Sequence, residues 1–374
     1  MPKRPSDELS GGRAPKQSSR QQRQHLYLVL DDGELGYSTR KVDLSPAFDS
    51  DEVDDGGTID RTEQRLPQAG FRLEAPHGCS GQFFPFGTKI IYTGIGDSPW
   101  GTVPIISFPH VRGSAPRREW ETSIYGCAYA ETHGKLFLLD GVFDTLQSPP
   151  PLLDNGPAAD IKVKFDWSWC SLPRPPYHDV ISHAVHPDQR TMVFSMSKLK
   201  KWTFRHATFS FDLESSRWTR HGTWMLPFKG RGYFDCDLDA WVGLSSDPDT
   251  LGHLCACDVL SADSNDGQPP ACKLSKEKLF CVDPVEKHNG ATLVYVDGGG
   301  DRSRFCLVQC LSVDDRQEGV WKESMPECRR HLLRITTFSP KYDKHGDLRV
   351  AKCHHVGSYR LPDIASVYYE QLEI

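Results

Sequence analysis

Short runs of β-branched, aromatic and leucine residues recur along most of the chain, and clusters of Gly, Pro, Asp and Ser separate them. The apolar run at residues 26–30, for example, is closed by Asp31, Asp32 and Gly33. This alternation of strand-forming runs with turn residues predicts an all-β protein. Helical periodicity is confined to residues 275–280, a short helix that Ser275 could cap.

The runs group into units that begin at similar intervals. Consecutive starts are roughly 40 to 60 residues apart, which is the period of propeller blades. Each unit contains a few antiparallel strands that cannot bury both faces alone, and radial stacking of units would bury them. The sequence therefore predicts a β-propeller of about six blades, with unit starts at Gly81, Ile124, Val180, Gly232, Gly290 and Leu332.

The unit that starts at Val180 is the most complete. It contains two strand-forming runs joined by a turn, a run ending in Phe211 and Asp212, and then Trp218 on an outer run. That order indicates a kelch-like propeller, although the usual pair of glycines after the second strand is missing.

The N-terminal run, residues 26–30, has no full unit of its own, and residues 37–44 form its candidate hairpin partner. An open sheet edge would invite aggregation. We therefore expect residues 26–30 to pair with the C-terminal region after Leu332 and to close the ring.

Two segments are predicted to lie outside the strands. Residues 1–24 are rich in Ser, Gln, Arg and Pro, which favours a disordered basic tail. Alternatively, the tail is a weak nuclear-import signal with Lys3 and Arg4 as its core. Residues 49–60 form an acidic, glycine-rich loop, and the folded domain is predicted to span residues 25–374.

Charge and composition narrow the class of protein. The net charge of −6 over 374 residues argues against a broad nucleic-acid surface. No apolar run approaches the roughly 20 residues that span a bilayer, and no secretory signal is seen. These observations predict a cytoplasmic or nuclear protein that is not secreted. Its twelve cysteines are expected to be reduced, with five of them buried as small hydrophobic residues: Cys79, Cys127, Cys170, Cys236 and Cys306.

Motifs for catalysis and cofactor binding are missing from the sequence. It contains no G-x-S-x-G, no Walker A loop and no G-x-G-x-x-G, and residues 298–301 favour a turn over a phosphate cradle. Cys255 and Cys257 would share one strand face, but no second pair with zinc-ligand spacing lies nearby. We expect no catalytic residue, no cofactor and no metal. A site assembled from distant loops stays open as an alternative.

The alternating aspartates and the tryptophans can each be interpreted structurally or functionally. Asp235, Asp237 and Asp239 favour a solvated hairpin turn over a calcium loop or a pair of catalytic acids. Most tryptophans are expected in strand cores between blades. The exception is a basic and aromatic loop between two strands, which is either a possible interaction loop at the propeller rim or an ordinary long hairpin: Lys198, Lys200, Lys201, Trp202 and Arg205.

Several stretches together resemble a grass-expanded family of uncharacterised plant proteins, the domain of unknown function number 1668. The resemblance covers roughly residues 25–360 and implies a kelch-like strand pattern, with no activity, cofactor or catalytic residue attached to it. The stretches that carry it are residues 208–212, 218–222, 224–228, 238–244, 255–259, 290–295, 332–338 and 341–349.

The sequence therefore favours a non-enzymatic protein-interaction module that contacts its partner through propeller rim loops. One alternative is an enzyme with its site at the propeller channel mouth. Another is a ubiquitin-ligase substrate adaptor that acts with a separate partner chain. Nucleic-acid binding through the basic tail is a further alternative and would show steep salt dependence.

Overall fold

The computed structural model describes residues 24–45, 62–74, 81–94, 102–107, 110–116, 127–147, 167–261, 267–280, 283–296, 303–314 and 329–362. Two short 3₁₀ helices, Gly33–Leu35 and Pro248–Thr250, accompany 24 β-strands in these residues. The predicted all-β class is therefore confirmed. The basic tail and the acidic loop at residues 49–60 lie outside the described residues, as do residues 298–301.

We group the strands into six units in chain order. Unit 1 contains β1 (His25–Asp31), β2 (Tyr37–Asp43) and β4 (Ala69–Leu73), whereas β3 (Glu63–Arg65) leaves it for unit 6. Unit 2 contains β5 (Gly81–Phe86), β6 (Lys89–Gly94), β7 (Thr102–Ser107) and β8 (His110–Pro116). Unit 3 contains β9 (Ala128–Thr132), β10 (Lys135–Asp140), β11 (Val142–Gln147) and β12 (Ser168–Ser171).

The remaining units follow the same scheme. Unit 4 contains β13 (Asp179–Val185), β14 (Thr191–Lys200), β15 (Thr203–Asp212) and β16 (Arg217–Gly222). Unit 5 contains β17 (Phe228–Asp235), β18 (Ala240–Ser245), β19 (His253–Asp258) and β20 (Cys272–Lys278). Unit 6 contains β21 (Glu286–Val296), β22 (Arg304–Asp314), β23 (Arg329–Tyr342) and β24 (Leu348–Arg360).

Within each of units 2 to 6, neighbouring strands along the chain pair antiparallel in their chain order. Units 4 and 5 are joined into one eight-stranded sheet because their first strands pair in parallel. In that pair Ser182 lies opposite Gly230, His183 opposite Arg231 and Ala184 opposite Gly232. The first strand of each unit is called its inner strand below.

Six hydrophobic clusters fill the spaces between successive units. Aromatic side chains dominate the one between units 3 and 4, where the rings of Phe143 and Phe211 meet edge to face at 4.8 Å. Burying one such side chain contributes about 1.5–3 kcal/mol. The clusters link the units in the order 1-2, 2-3, 3-4, 4-5, 5-6 and 6-1. The sheets therefore form a closed ring, which is the architecture of a β-propeller.

The ring closes differently from the sequence prediction. Residues 26–30 pair with β2, which confirms their hairpin with residues 37–44, and they do not pair with the C-terminal strands. Instead β3 pairs in parallel with β24, with Glu63 opposite Ser358. Arg330 forms an ion pair with Glu63 at the same edge. The short β3 therefore covers the edge of unit 6, a position where an unpaired strand would be exposed.

The prediction that residues 26–30 lack their own unit was also wrong. Leu26, Leu28 and Leu30 alternate inward on β1 and pack against the faces of β22 and β23 without hydrogen bonding to them. Leu332, predicted to start a unit, lies in the third strand of unit 6. The N-terminal strands instead form a unit of their own, unit 1, which brings the number of units to six, and their apolar face covers unit 6.

The predicted helix at residues 275–280 is wrong, since residues 272–278 form β20. Ser275 is buried there, and its hydroxyl accepts a hydrogen bond from the Leu254 amide at 3.0 Å and donates one to the Glu277 carbonyl at 2.7 Å. These bonds lie at a register shift between β19 and β20. Pairing with β19 therefore overrides the local helix signal.

Candidate functional site

The predicted interaction loop is the outer part of a long hairpin made by β14 and β15. In its register Lys198 lies opposite Arg205, Leu199 opposite Phe204 and Lys200 opposite Thr203, so only two residues form the turn. We call residues 198–205 the projecting hairpin. All five residues singled out from the sequence lie on it: Lys198, Lys200, Lys201, Trp202 and Arg205.

Burial changes abruptly along both strands of this hairpin. Residues 191–197 and 207–211 are buried in unit 4, whereas residues 199–206 are exposed. Trp202 is 95% exposed, Phe204 59% and Leu199 57%. Large apolar side chains in water are costly, and three of the seven that are exposed in the described residues occupy this one hairpin.

The turn itself holds two large side chains in the left-handed backbone region. Lys201 has φ 47° and Trp202 has φ 65°. Positive φ at both central residues defines a type I′ turn, in which Asn and Gly are the favoured residues. Lysine and tryptophan at these positions store backbone strain of order 1 kcal/mol or more.

The projecting hairpin is cationic. Four of its eight residues are Lys or Arg, and residues 191–211 contain no Asp or Glu. At its base the Lys198 ammonium lies over the ring of Tyr177, 4.4 Å from the ring centroid. Tyr177 in turn meets Phe209 edge to face at 5.1 Å, so the base of the hairpin is anchored in unit 4.

A second group of polar side chains lies near the centre of the ring and was missed in the sequence. The Arg231 guanidinium on β17 lies 4.8 Å from the Tyr129 ring centroid and 4.9 Å from that of Tyr233. Tyr129 belongs to β9, two units away around the ring. Contact across two units is possible only where the inner strands converge, so we call this group the axial cluster: Tyr129, His183, Arg231 and Tyr233.

His183 completes the axial cluster but is unsuited to proton transfer. Its ring is buried, and its Nε2 lies 3.2 Å from the Tyr129 carbonyl oxygen. Burial, together with the neighbouring positive charge of Arg231, lowers the pKa of His183 to about 3. The imidazole is therefore neutral at physiological pH, and the Nε2–H donates to the carbonyl.

Sequence reasoning missed the axial cluster because its members are far apart in the chain. The nearest signal is local: Arg231 is flanked by Gly230 and Gly232 within β17. Gly232 has a packing reason, since a Cβ there would lie 2.3 Å from the Phe228 ring. Arg231 is therefore next to a glycine on which the Phe228 ring packs. This combination indicates an inner strand.

The alternating aspartates form the predicted turn, with one correction. Oδ1 of Asp235 accepts hydrogen bonds from the amides of Asp237 and Leu238, as expected of a turn aspartate. Asp235 is nevertheless fully buried rather than solvated, and Asp237 accepts a hydrogen bond from the Ser303 amide. Burial raises the pKa of the Asp235 carboxyl.

The cysteines only partly follow the sequence prediction. Cys306 is buried as expected, whereas Cys170 and Cys236 are exposed, Cys127 is half-buried and Cys79 lies outside the described residues. Cys255 and Cys257 share one strand face and pack against Trp241 between units 4 and 5. No three His, Cys, Asp or Glu side chains in the described ranges are grouped so that they could hold a metal ion.

In the part of the chain that the structure describes, the tryptophans other than Trp202 help to fill the spaces between units. Trp241 is fully buried and donates a hydrogen bond from Nε1 to the Val185 carbonyl at 2.9 Å. Trp218 packs on Phe211 with ring centroids 4.8 Å apart, in the strand order predicted for unit 4. Trp224 borders a cavity of about 200 Å³ beside residues 258–261 and 267–270.

The chain belongs to the family described as "Protein of unknown function (DUF1668)", whose model matches residues 23–359. This confirms the family resemblance seen in the sequence. No curated protein matches the chain. Where the structure describes the chain, no helix has the length and apolar character needed to cross a membrane.

Three solved structures show distant similarity, each at 12% identity. Hydrazine synthase of Kuenenia stuttgartiensis has a TM-score of 0.32 and aligns over 79% of this chain and 68% of its own. Hsv2 of Kluyveromyces lactis has a TM-score of 0.37, and the alignment covers 90% of this chain and 100% of Hsv2. TolB of Acinetobacter baumannii has a TM-score of 0.26, and the alignment covers 90% of this chain and 66% of TolB. With TM-scores below 0.5, none of them bears on the function of this chain.

Proposed function

We propose that this protein is a non-enzymatic binding module that captures an acidic protein surface with its projecting hairpin. The observation that carries the proposal is the 95% exposure of Trp202 in the two-residue turn, together with the exposed strand pair of Leu199 and Phe204 on the same hairpin. Tryptophan and arginine are the residues that most often dominate the binding free energy of protein interfaces.

Charge on the projecting hairpin selects the chemistry of the partner. Lys200, Lys201 and Arg205 flank the apolar side chains, and no carboxylate lies on residues 191–211 to neutralise them. An acidic partner would therefore meet a predominantly positive surface, which speeds association and favours the correct orientation. An apolar pocket on the same partner would accept Trp202.

Backbone strain in the turn also supports a binding role. Lys201 and Trp202 hold positive φ although Asn and Gly would hold it at lower free energy. Strain of this kind persists where the surrounding structure imposes it and is concentrated at functional sites. The turn directs the Trp202 side chain into solvent, so the indole contributes little to the stability of the folded monomer.

The test compares partner capture by the wild type and by Trp202→Ala with Arg205→Ala. We expect the folded double variant to lose at least ten-fold in enrichment of the main partner, as measured by quantitative mass spectrometry after crosslinking in the native tissue. The matched control is Leu251→Ala with Lys229→Ala, which removes an exposed apolar and a cationic side chain from unit 5. Equal capture by all three proteins would overturn the proposal.

A direct measurement identifies the class of the partner. Binding of the purified partner should weaken as salt rises from 50 to 500 mM, because counter-ions screen exposed charges within a Debye length of roughly 10 Å at 0.1 M. Binding of single-stranded RNA homopolymers with equal affinity, and loss of that binding in the same variant, would instead assign the hairpin to nucleic acid.

The axial cluster supports a second candidate function, the binding of a small anionic ligand at the centre of the ring. The Arg231 guanidinium carries five N–H donors. It contacts the rings of Tyr129 and Tyr233 and hydrogen-bonds the Tyr129 side chain, with the Glu131 carboxylate as a neighbouring negative charge, which leaves further donors for an anion. Thermal stabilisation of the wild type by millimolar citrate or phosphate, absent in Arg231→Leu, would support it. Equal shifts in both proteins would exclude it.

The interaction would take place in the cytoplasm or the nucleus. Cys170, Cys236 and Cys272 are exposed and form no disulfide. Exposed thiols persist in a reducing compartment. Fluorescent tagging of the full chain in the native tissue tests this location, and recovery of the protein from the extracellular fluid would contradict it.

A further inference from the structure

Two thiols of unit 5 lie directly opposite each other on neighbouring strands. Cys257 on β19 is in register with Cys272 on β20. The Asp258 amide donates a hydrogen bond to the Ala271 carbonyl at 2.9 Å, so the adjacent Cys257 and Cys272 form a non-hydrogen-bonded pair. Such pairs have Cα atoms about 4.5 Å apart. That separation lies within the range of roughly 4.4–6.8 Å found across disulfides.

The two thiols differ in their access to solvent. Cys257 is fully buried between units 4 and 5, together with Cys255 on the same strand face, whereas Cys272 is exposed. A soluble oxidant can therefore reach Cys272 and cannot reach Cys257 directly. A buried thiol opposite an exposed one is the arrangement of a resolving and an attacking cysteine.

The third thiol prepares Cys272 for reaction. Cys255 lies diagonally across from Cys272, and hydrogen bonding between the two side chains lowers the pKa of Cys272, while the Cys255 S–H also lies 3.5 Å from the Gly243 carbonyl oxygen as a donor to it. Burial, aided by the neighbouring Cys272, raises the pKa of Cys257, so that thiol stays protonated. The thiolate is the reactive form of cysteine. The exposed member of the group is therefore the more nucleophilic one.

We propose that Cys272 is a peroxide-sensitive thiol that forms a reversible disulfide with Cys257. The Cys272 thiolate attacks one oxygen of hydrogen peroxide, the O–O bond breaks, and the products are a sulfenic acid and hydroxide, which takes up a proton. The Cys257 sulfur then attacks the Cys272 sulfur. The S–S bond forms, the S–O bond breaks, and water leaves with the thiol proton. A dithiol reductant reverses the oxidation.

Oxidation would act on the surface next to the pair. Residues 258–261 and 267–270, which follow Cys257 and precede Cys272, line the cavity of about 200 Å³ beside His221 and Trp224. A disulfide between Cys257 and Cys272 would tie the two ends of this segment covalently.

The first experiment uses the full chain. The protein is treated with hydrogen peroxide at a few molar equivalents, alkylated and digested, and its peptides are measured by mass spectrometry. We expect a crosslinked pair containing Cys257 and Cys272, lighter by two hydrogens than the sum of its reduced peptides, and its disappearance after dithiothreitol. Absence of this pair, whether or not Cys272 is oxidised, or a link from Cys272 to Cys255 in its place, would overturn the proposal.

Substitutions separate the roles of the three thiols. Cys257→Ser should leave Cys272 as a sulfenic acid that dimedone labels, and Cys272→Ser should abolish both products. Cys255→Ser should keep the disulfide but slow its formation several-fold. Cys236→Ser removes an exposed thiol of the same unit and should change nothing. The peptide measurement on the wild type tests the proposal without any variant. The test therefore stays decisive even if one of the variants fails to fold.

Discussion

The Nε2–H of His183 donates a hydrogen bond to the main-chain carbonyl of Tyr129 at 3.2 Å, which joins the inner strands of units 3 and 4. The bond places a proton on Nε2, because the carbonyl oxygen can only accept, while burial and the Arg231 charge keep the ring neutral. Tyr129 also lies against the Arg231 guanidinium of unit 5. One tyrosine therefore connects three successive units at the centre of the ring.

The burial of His183 beside the Arg231 charge predicts a loss of stability in mild acid. The pKa of His183 is about 3 in the folded protein and 6.5 at its ordinary value, so between these values the unfolded chain binds more protons. The free energy of unfolding should therefore fall as pH drops from about 6.5 towards 3. Urea unfolding of the wild type and of His183→Gln at pH 7.5 and 4.5 measures the difference. Glutamine keeps an N–H donor without a titrating ring, so parallel losses in both proteins would contradict the prediction.

The buried carboxyl of Asp235 predicts the opposite pH dependence. Burial raises its pKa above the ordinary 3.8, so the folded state holds the proton more tightly than the unfolded chain. Its contribution to stability is present at low pH and is lost as pH rises through the folded-state pKa.

The variant Asp235→Asn tests this contribution, since its amide oxygen can accept the same two backbone hydrogen bonds from Asp237 and Leu238. We expect it to be more stable than the wild type at pH 7 and to lose that advantage near pH 4, as followed by thermal unfolding. The exposed Asp239→Asn serves as control and should show no such dependence. A destabilised Asp235→Asn at pH 7 would show that the carboxylate is the stabilising form.

The ion pair between Arg334 and Glu286 is buried and bidentate, with contacts of 2.9 and 2.6 Å and only 6% exposure of each side chain. Arg334→Leu should cost about 3–5 kcal/mol because it leaves a buried carboxylate without its cation. The double change to leucine at both positions should recover most of that loss. Urea unfolding of the single and double variants gives the coupling free energy.

A surface pair supplies the comparison. Arg190 contacts Glu214 with more than half of both side chains exposed, so Arg190→Leu should cost less than about 1 kcal/mol. If the buried and the exposed arginine variants lost the same stability, burial would not be the cause of the effect.

The turn of the projecting hairpin predicts a trade between stability and binding. Changing Lys201→Asn with Trp202→Gly installs the favoured residues of a type I′ turn and should raise the free energy of unfolding by about 1–2 kcal/mol. The same change removes the proposed contact residue and should abolish partner capture. The control Trp202→Ala removes the indole but keeps a side chain at positive φ, so it should lose capture without the gain in stability. An unchanged unfolding midpoint in the Asn-Gly variant would contradict the strain argument.

Local features of the chain were predictable because they depend on neighbours in sequence. Apolar alternation and turn residues located β14, β15 and the projecting hairpin, and the same signals placed Phe211 and Trp218 on adjacent strands. The β1–β2 hairpin followed for the same reason. Local signals were insufficient at Ser275. Its capping potential indicated a helix, whereas the pairing of β20 with β19 produces a strand there.

The sequence by itself therefore determined the all-β class, the order of strands within unit 4 and the cationic, aromatic tip at Trp202. Only the tertiary structure decided that β3 covers the edge of β24, that Arg231 meets Tyr129 near the axis and that Cys272 faces Cys257. A period of two residues specifies which face of a strand is buried, but it carries no information about which strand lies beside it. That choice rests on non-local packing free energy, which is defined once all six units close the ring.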